Sequence, residues 1–122
     1  MPKIIHFDIE AKDIRRAINF YKKTFNWKFT KWDGPIAYWL INTGDEDEPG
    51  IDGGLSKNEN SDMSIVNTIG VISLDEIIEK IKKYGGKITN PKHTVPGVGY
   101  MATFEDTEGN KFGVMEEDES AH

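Results

Sequence analysis

His6 and Asp8 stand two residues apart in the run Ile4-Ile5-His6-Phe7-Asp8-Ile9. In an extended chain that spacing puts an imidazole and a carboxylate on one face, with Phe7 and Ile9 on the other. Such a pair can exchange a proton near neutrality or donate to a divalent cation. Asp52 is a third polar candidate, sharing a face with Gly54 and Ser56 in the run Ile51-Asp52-Gly53-Gly54-Leu55-Ser56. A displaced metal site from His6, Asp8 and Asp52 is conceivable, although neighbouring same-face residues on one strand seldom converge on a single ion. Tyr38 and Tyr100 are candidates for an aromatic pocket wall, with Trp32 beside them. Trp39 faces away from Tyr38 and reads as packing. His93 lies in Pro91-Lys92-His93-Thr94-Val95-Pro96-Gly97, which reads as a stiff loop with a solvated histidine. Asp45-Glu46-Asp47-Glu48 reads as a solvated acidic loop, because the ligand spacing of a calcium loop is absent. Gly50 to Gly54 lacks the Gly-Lys-Ser/Thr ending of a phosphate loop, and its glycines read as open space on a cleft floor.

The elements that must position these residues repeat once along the chain. A strand near Ile4–Ile9 is followed by a helix that Asp13 can cap, with Ile14, Ala17, Ile18, Tyr21 and Phe25 on one face. Strand patterns follow at Trp27–Thr30, Ile36–Asn42 and Ile51–Ser56. The second half opens with a strand at Val66–Ile72 and a helix announced by the capping box Ser73-Leu74-Asp75-Glu76, and Gly85-Gly86 is its stop. Strand patterns return at Lys87–Thr89, Tyr100–Phe104 and Lys111–Met115. The halves superpose with Lys28-Phe29-Thr30 on Lys87-Ile88-Thr89, Tyr38 near Tyr100, and Gly54 on Gly113. The sequence therefore predicts an α+β chain of tandem βαβββ modules, about 3–58 and 64–116. They would form a concave, mainly antiparallel sheet with helices on its outer face. Glu59 to Met63 would be the linker and the acidic tail 117–122 disordered.

Composition narrows the function classes. The chain has 122 residues, enough for a single domain spanning 1–122. There are no cysteines, so thiolate chemistry and disulfides are excluded. Acidic residues number 21 against 15 basic, a net charge of −6, and the lysines scatter over helix faces, so nucleic acid and anionic membrane are poor partners. No apolar run approaches the length of a bilayer span and no signal-peptide pattern opens the chain, so a cytoplasmic protein is expected.

The opening His6-Phe7-Asp8-Ile9 with Ala17-Ile18-Asn19-Phe20-Tyr21, and the closing Phe104-Glu105-Asp106-Thr107-Glu108-Gly109-Asn110-Lys111-Phe112-Gly113, resemble the vicinal oxygen chelate superfamily of glyoxalases, bleomycin-resistance proteins and extradiol dioxygenases. Within it the chain resembles the lactoylglutathione-lyase-related group, through Gly50-Ile51-Asp52-Gly53-Gly54-Leu55 and Pro96-Gly97-Val98-Gly99-Tyr100. The resemblance implies four metal-ligand positions, which fall on His6, Gly54, Thr68 and Gly113. Only His6 is retained as a metal-binding side chain, so no cofactor is expected. The cleft would be lined by His6, Asp8, Tyr38, Asp52, Gly54, Thr68, Tyr100, Lys111 and Gly113, with His6 the candidate catalytic residue. The function expected is small-molecule binding without the standard metal. The alternatives are a lyase, epimerase or thiol transferase with a displaced divalent metal, and a non-catalytic interaction module. A homodimer is expected, because sheets of this family commonly pair across chains.

Overall fold

Ten elements run along the chain in the computed structural model, which describes residues 1–60 and 62–122. They are β1 (Lys3–Ala11), α1 (Ile14–Phe25), β2 (Lys28–Lys31), β3 (Tyr38–Asn42), β4 (Gly53–Lys57), β5 (Ile65–Gly70), α2 (Leu74–Lys83), β6 (Lys87–Val95), β7 (Gly99–Glu105) and β8 (Lys111–Glu117). This is the βαβββ plan twice over, an α+β fold. Ser61, inside the expected linker, lies outside the described residues. The chain divides into two compact units, His6–Ile65 and Met1–Ile5 with Val66–His122. The first five residues go with the second unit because Ile5 and Met1 lie over Gly70, where a Cβ would come within 2.8 and 3.0 Å of them.

In the first module the strand order is β2-β3-β4-β1, with β1 and β4 parallel and the other pairs antiparallel. Asp13 caps α1 by accepting the Arg16 N–H at 3.1 Å. Asn26 ends the helix in the left-handed conformation at φ 62°, which asparagine tolerates better than most side chains. The chain then turns so that Trp27 stacks on Tyr21 at 5.1 Å and 12°, and Phe7 meets Trp27 at 6.1 Å. Ile41 and Leu55 are fully buried on this aromatic side of the sheet. Alternation then leaves His6, Asp8, Glu10, Tyr38, Leu40, Gly54 and Ser56 on the opposite side.

The second module has the order β5-β8-β7-β6, again with one parallel pair, β5 with β8. Ser73 caps α2 by accepting the Glu76 N–H, and Glu116 supplies a further cap by accepting the Leu74 N–H at 2.9 Å. The core is Val71, Leu74, Ala102 and Val114, with Ile77, Ile78, Ile81, Tyr100 and Phe104 packed against it.

Two expectations are corrected here. The Pro91–Gly97 segment is not a loop up to Val95: it continues β6, pairing His93 with Met101 and Val95 with Gly99. Proline is tolerated because β6 is the last strand in the order, and the ladder is irregular between Ile88 and His93, where Pro91 falls. The acidic tail is not free either. Glu117 ends β8, Asp118 N donates to Val98 O, Ala121 O accepts from Gly97 N, and Ala121 is buried.

Candidate functional site

Strand register fixes which residues are true counterparts in the repeat. Gly54 pairs with Asp8 across the β1–β4 ladder, and Gly113 pairs with Thr68 across β5–β8. The counterpart of Thr68 is therefore Asp8, and His6 precedes it by one step on the same face. Tyr38 pairs with Ser56 and Met101 with Met115, each two residues beyond the glycine. Met101, not Tyr100, is thus the counterpart of Tyr38. Tyr100 sits on the other face of β7, packed against the core beneath α2, with Lys92 Nζ 5.0 Å from its ring. The expected place of Tyr100 in the cleft is corrected accordingly. Met101 was missed because a methionine in a strand carries no sequence signal beyond core packing.

Gly54 does not leave the open space expected of it, a second correction, although Gly50 in the same stretch does, and Gly113 is also closely bordered. A Cβ on Gly54 would collide with the Tyr38 phenol, which fills the place where a side chain at position 54 would stand. At Gly113 the same place is bordered by Thr68 Oγ1 at 2.8 Å and Met101 Cε at 3.7 Å. Thr68 is buried, and Lys111 is exposed on the side of Gly113.

Tyr38 is the hub of the first-module face. Its hydroxyl donates to Asp8 Oδ1 at 2.5 Å and lies 2.8 Å from His6 Nε2, while His6 Nε2 is 3.4 Å from the same carboxylate oxygen. The side chains of His6 and Asp8 each retain 31% exposure, so the group is held by protein yet open to solvent. Trp32 meets the Tyr38 ring edge-on at 5.9 Å and 79°, and its backbone N–H donates to the Tyr38 carbonyl. Burial, and then the hydrogen bond to Asp8 and the charge of that carboxylate, push the Tyr38 phenol well above its ordinary value. Tyr38 is therefore a neutral hydroxyl at any physiological pH.

Two residues along the same face, Glu10 forms a second polar group that sequence reasoning did not single out. One of its oxygens accepts from Ser64 Oγ at 2.8 Å, Ser64 N at 3.1 Å and Asn58 Nδ2 at 3.1 Å. Burial works to raise this carboxyl, but the bonds from Ser64 and Asn58 together hold it below its ordinary value. The period-two spacing from Asp8 was the one available clue.

The donors do not fit a divalent ion. Such a site needs about three protein ligands, whereas Gly54 and Gly113 offer no side-chain donor. Asp52 does not join His6 and Asp8, because its carboxylate accepts from Thr43 N at 2.9 Å and Thr43 Oγ1 at 3.2 Å. Among the described residues no three His, Asp or Glu side chains come together as a metal-binding group. Asp52 instead borders a cavity of about 200 Å³ in the acidic loop, with Thr43, Asp45, Glu46 and Glu48. His93 is exposed on β6, with Nδ1 3.2 Å from the Pro91 carbonyl two residues before it, and it joins no site.

Comparison with known proteins agrees with this architecture. A glyoxylase-like domain-containing protein of Didymella fabae is 32% identical over 117 residues, covering 92% of this chain and 91% of its own. Among solved structures, a hypothetical protein of Bacillus halodurans superposes with a TM-score of 0.73 at 19% identity, covering 98% of this chain and 97% of that one. The methylmalonyl-CoA epimerase of Mycobacterium tuberculosis does so with a TM-score of 0.72 at 15% identity, covering 94% and 87%. Residues 3–114 match the family profile, and the chain belongs to the Glyoxalase/Bleomycin resistance protein/Dioxygenase superfamily.

Proposed function

We propose that this glyoxalase-like protein binds a small molecule on the His6–Tyr38–Asp8 face of its first module, without a divalent metal. The carrying observation is the partly exposed imidazole–phenol–carboxylate group, built where a side chain at position 54 would otherwise stand. Hydrogen-bonding groups held by their neighbours, with an aromatic ring alongside, are what a small-molecule site needs to orient a ligand. Trp32 supplies that ring, edge-on to Tyr38. The test is a fragment screen by NMR on labelled protein. Perturbations centred on His6, Asp8, Tyr38 and the Trp32 indole, lost in Tyr38→Ala, are expected; fragments that bind only elsewhere would overturn the proposal.

The imidazole–carboxylate pair favours one second reading, an isomerase or lyase in which His6 moves a proton. An epimerase stands among the proteins of like fold. Deuterium uptake from solvent into a carbon acid, abolished in His6→Gln, would favour this reading over binding alone.

A further inference from the structure

We propose that Tyr38 is the positioning residue of this face: its hydroxyl holds His6 as the Nε2–H tautomer, so that the ring presents an unprotonated Nδ1 to whatever binds. This deepens the binding reading above and assigns the chemical class of the ligand group that meets His6. That group must donate a hydrogen bond, as a hydroxyl, an amide N–H or an ammonium does.

Counting protons fixes the tautomer. A phenol has one proton and two lone pairs, and an ionised carboxylate only accepts. Tyr38 therefore gives its single proton to Asp8 Oδ1, at 2.5 Å. With that proton committed, the oxygen facing His6 Nε2 at 2.8 Å carries only a lone pair. A neutral imidazole has one protonated and one bare nitrogen. A bare Nε2 at that distance would set two lone pairs against each other, so Nε2 carries the hydrogen and Nδ1 does not. Nδ1 has no hydrogen-bond partner among the described residues. Since no buried side-chain nitrogen or oxygen there is unpartnered, Nδ1 is reached by solvent. The same accounting turns His6 Nε2 away from a metal: its lone pair is replaced by an N–H bonded to Tyr38.

The tautomer can be read directly by long-range ¹H–¹⁵N correlation, at a pH high enough that the ring shifts no longer change with pH. The His6 signals are those lost in His6→Gln. The expected wild-type spectrum shows a protonated Nε2 and an unprotonated Nδ1. Tyr38→Phe removes the acceptor at 2.8 Å and leaves only the Asp8 oxygen at 3.4 Å, and the two nitrogen shifts should move toward each other as both tautomers populate. Asp8→Ala should do the same, because it frees the Tyr38 proton to point at Nε2. Asp8→Asn keeps an acceptor for Tyr38 and should retain the wild-type pattern. A wild-type His6 protonated on Nδ1, or already mixed, would overturn the proposal, and so would shifts unmoved by Tyr38→Phe in a folded protein. If Tyr38→Phe fails to fold, the wild-type spectrum decides alone. The fragment screen stands apart from this measurement, so a wrong tautomer and a missing ligand would be distinguishable failures.

Discussion

Gly54→Ala adds a single methyl group, and the structure predicts that its cost falls almost wholly on Tyr38. The new Cβ would overlap the end of the Tyr38 ring as well as its hydroxyl, so rotating the hydroxyl cannot relieve it. The ring must leave, and both of its hydrogen bonds go with it. A bond to a charged group contributes about 1.5–3 kcal/mol and a neutral one about 0.5–1.5 kcal/mol. Solvent recovers part of this at a half-open site, and alanine returns about 0.5–1 kcal/mol relative to glycine in a strand. The net loss should be about 1–3 kcal/mol, a fall in Tm of roughly 3–12 °C for a domain of this length. Urea unfolding of wild type, Gly54→Ala, Tyr38→Ala and the double variant gives the coupling. Once Tyr38 is truncated the added methyl has room, so the double variant should be more stable than the sum of the single losses by about 1–2 kcal/mol. Additive losses, within about 0.5 kcal/mol, would refute the claim that the phenol fills the place of a side chain at position 54.

The upward shift of the Tyr38 phenol has a consequence at high pH. A group whose folded pKa is raised adds stability in full below its unfolded value, about 10 for tyrosine, and this stability is lost as pH rises beyond that value. Above about pH 10 the wild type should therefore lose stability more steeply than Tyr38→Phe, and the two folded proteins should show equal phenolate absorbance near 295 nm despite their differing tyrosine counts. One extra tyrosine's absorbance in the folded wild type would contradict this. At the start of α1, Asp13→Ala removes the side chain that accepts the Arg16 N–H and should cost about 1 kcal/mol in urea unfolding. No change in the unfolding midpoint would count against that cap.

The fold was legible because patterns at both ends of the scale agreed. Asp13 and Ser73 cap their helices as their types and places predict, and both modules carry the expected strand sequence. The errors came where tertiary position overrides local chemistry. Pro91 read as loop, yet an outermost strand needs fewer donors and admits a proline, whereas Pro96 does lie in the turn that follows it. The tail read as disordered because it is acidic, yet two backbone hydrogen bonds and one buried alanine hold it. At the site, periodicity placed His6 and Asp8 on one face and paired Gly54 with Gly113, both of which hold. A one-residue slip moves a side chain to the other face of a sheet. That is why aligning Tyr38 with Tyr100 rather than Met101 put the wrong aromatic in the cleft. What the sequence hid was occupancy: a glycine in a strand reads as space, and only the folded chain shows whose side chain fills it.

The central claim is that the first-module site is built around Tyr38 and not around a metal ion. Metal analysis of protein purified without chelators and dialysed, followed by calorimetric titration with Zn, Ni, Mn and Fe(II), tests it most directly. Substoichiometric metal is expected, with no tight binding that depends on His6. Tight one-to-one retention of any of these ions, lost in His6→Ala, would contradict it.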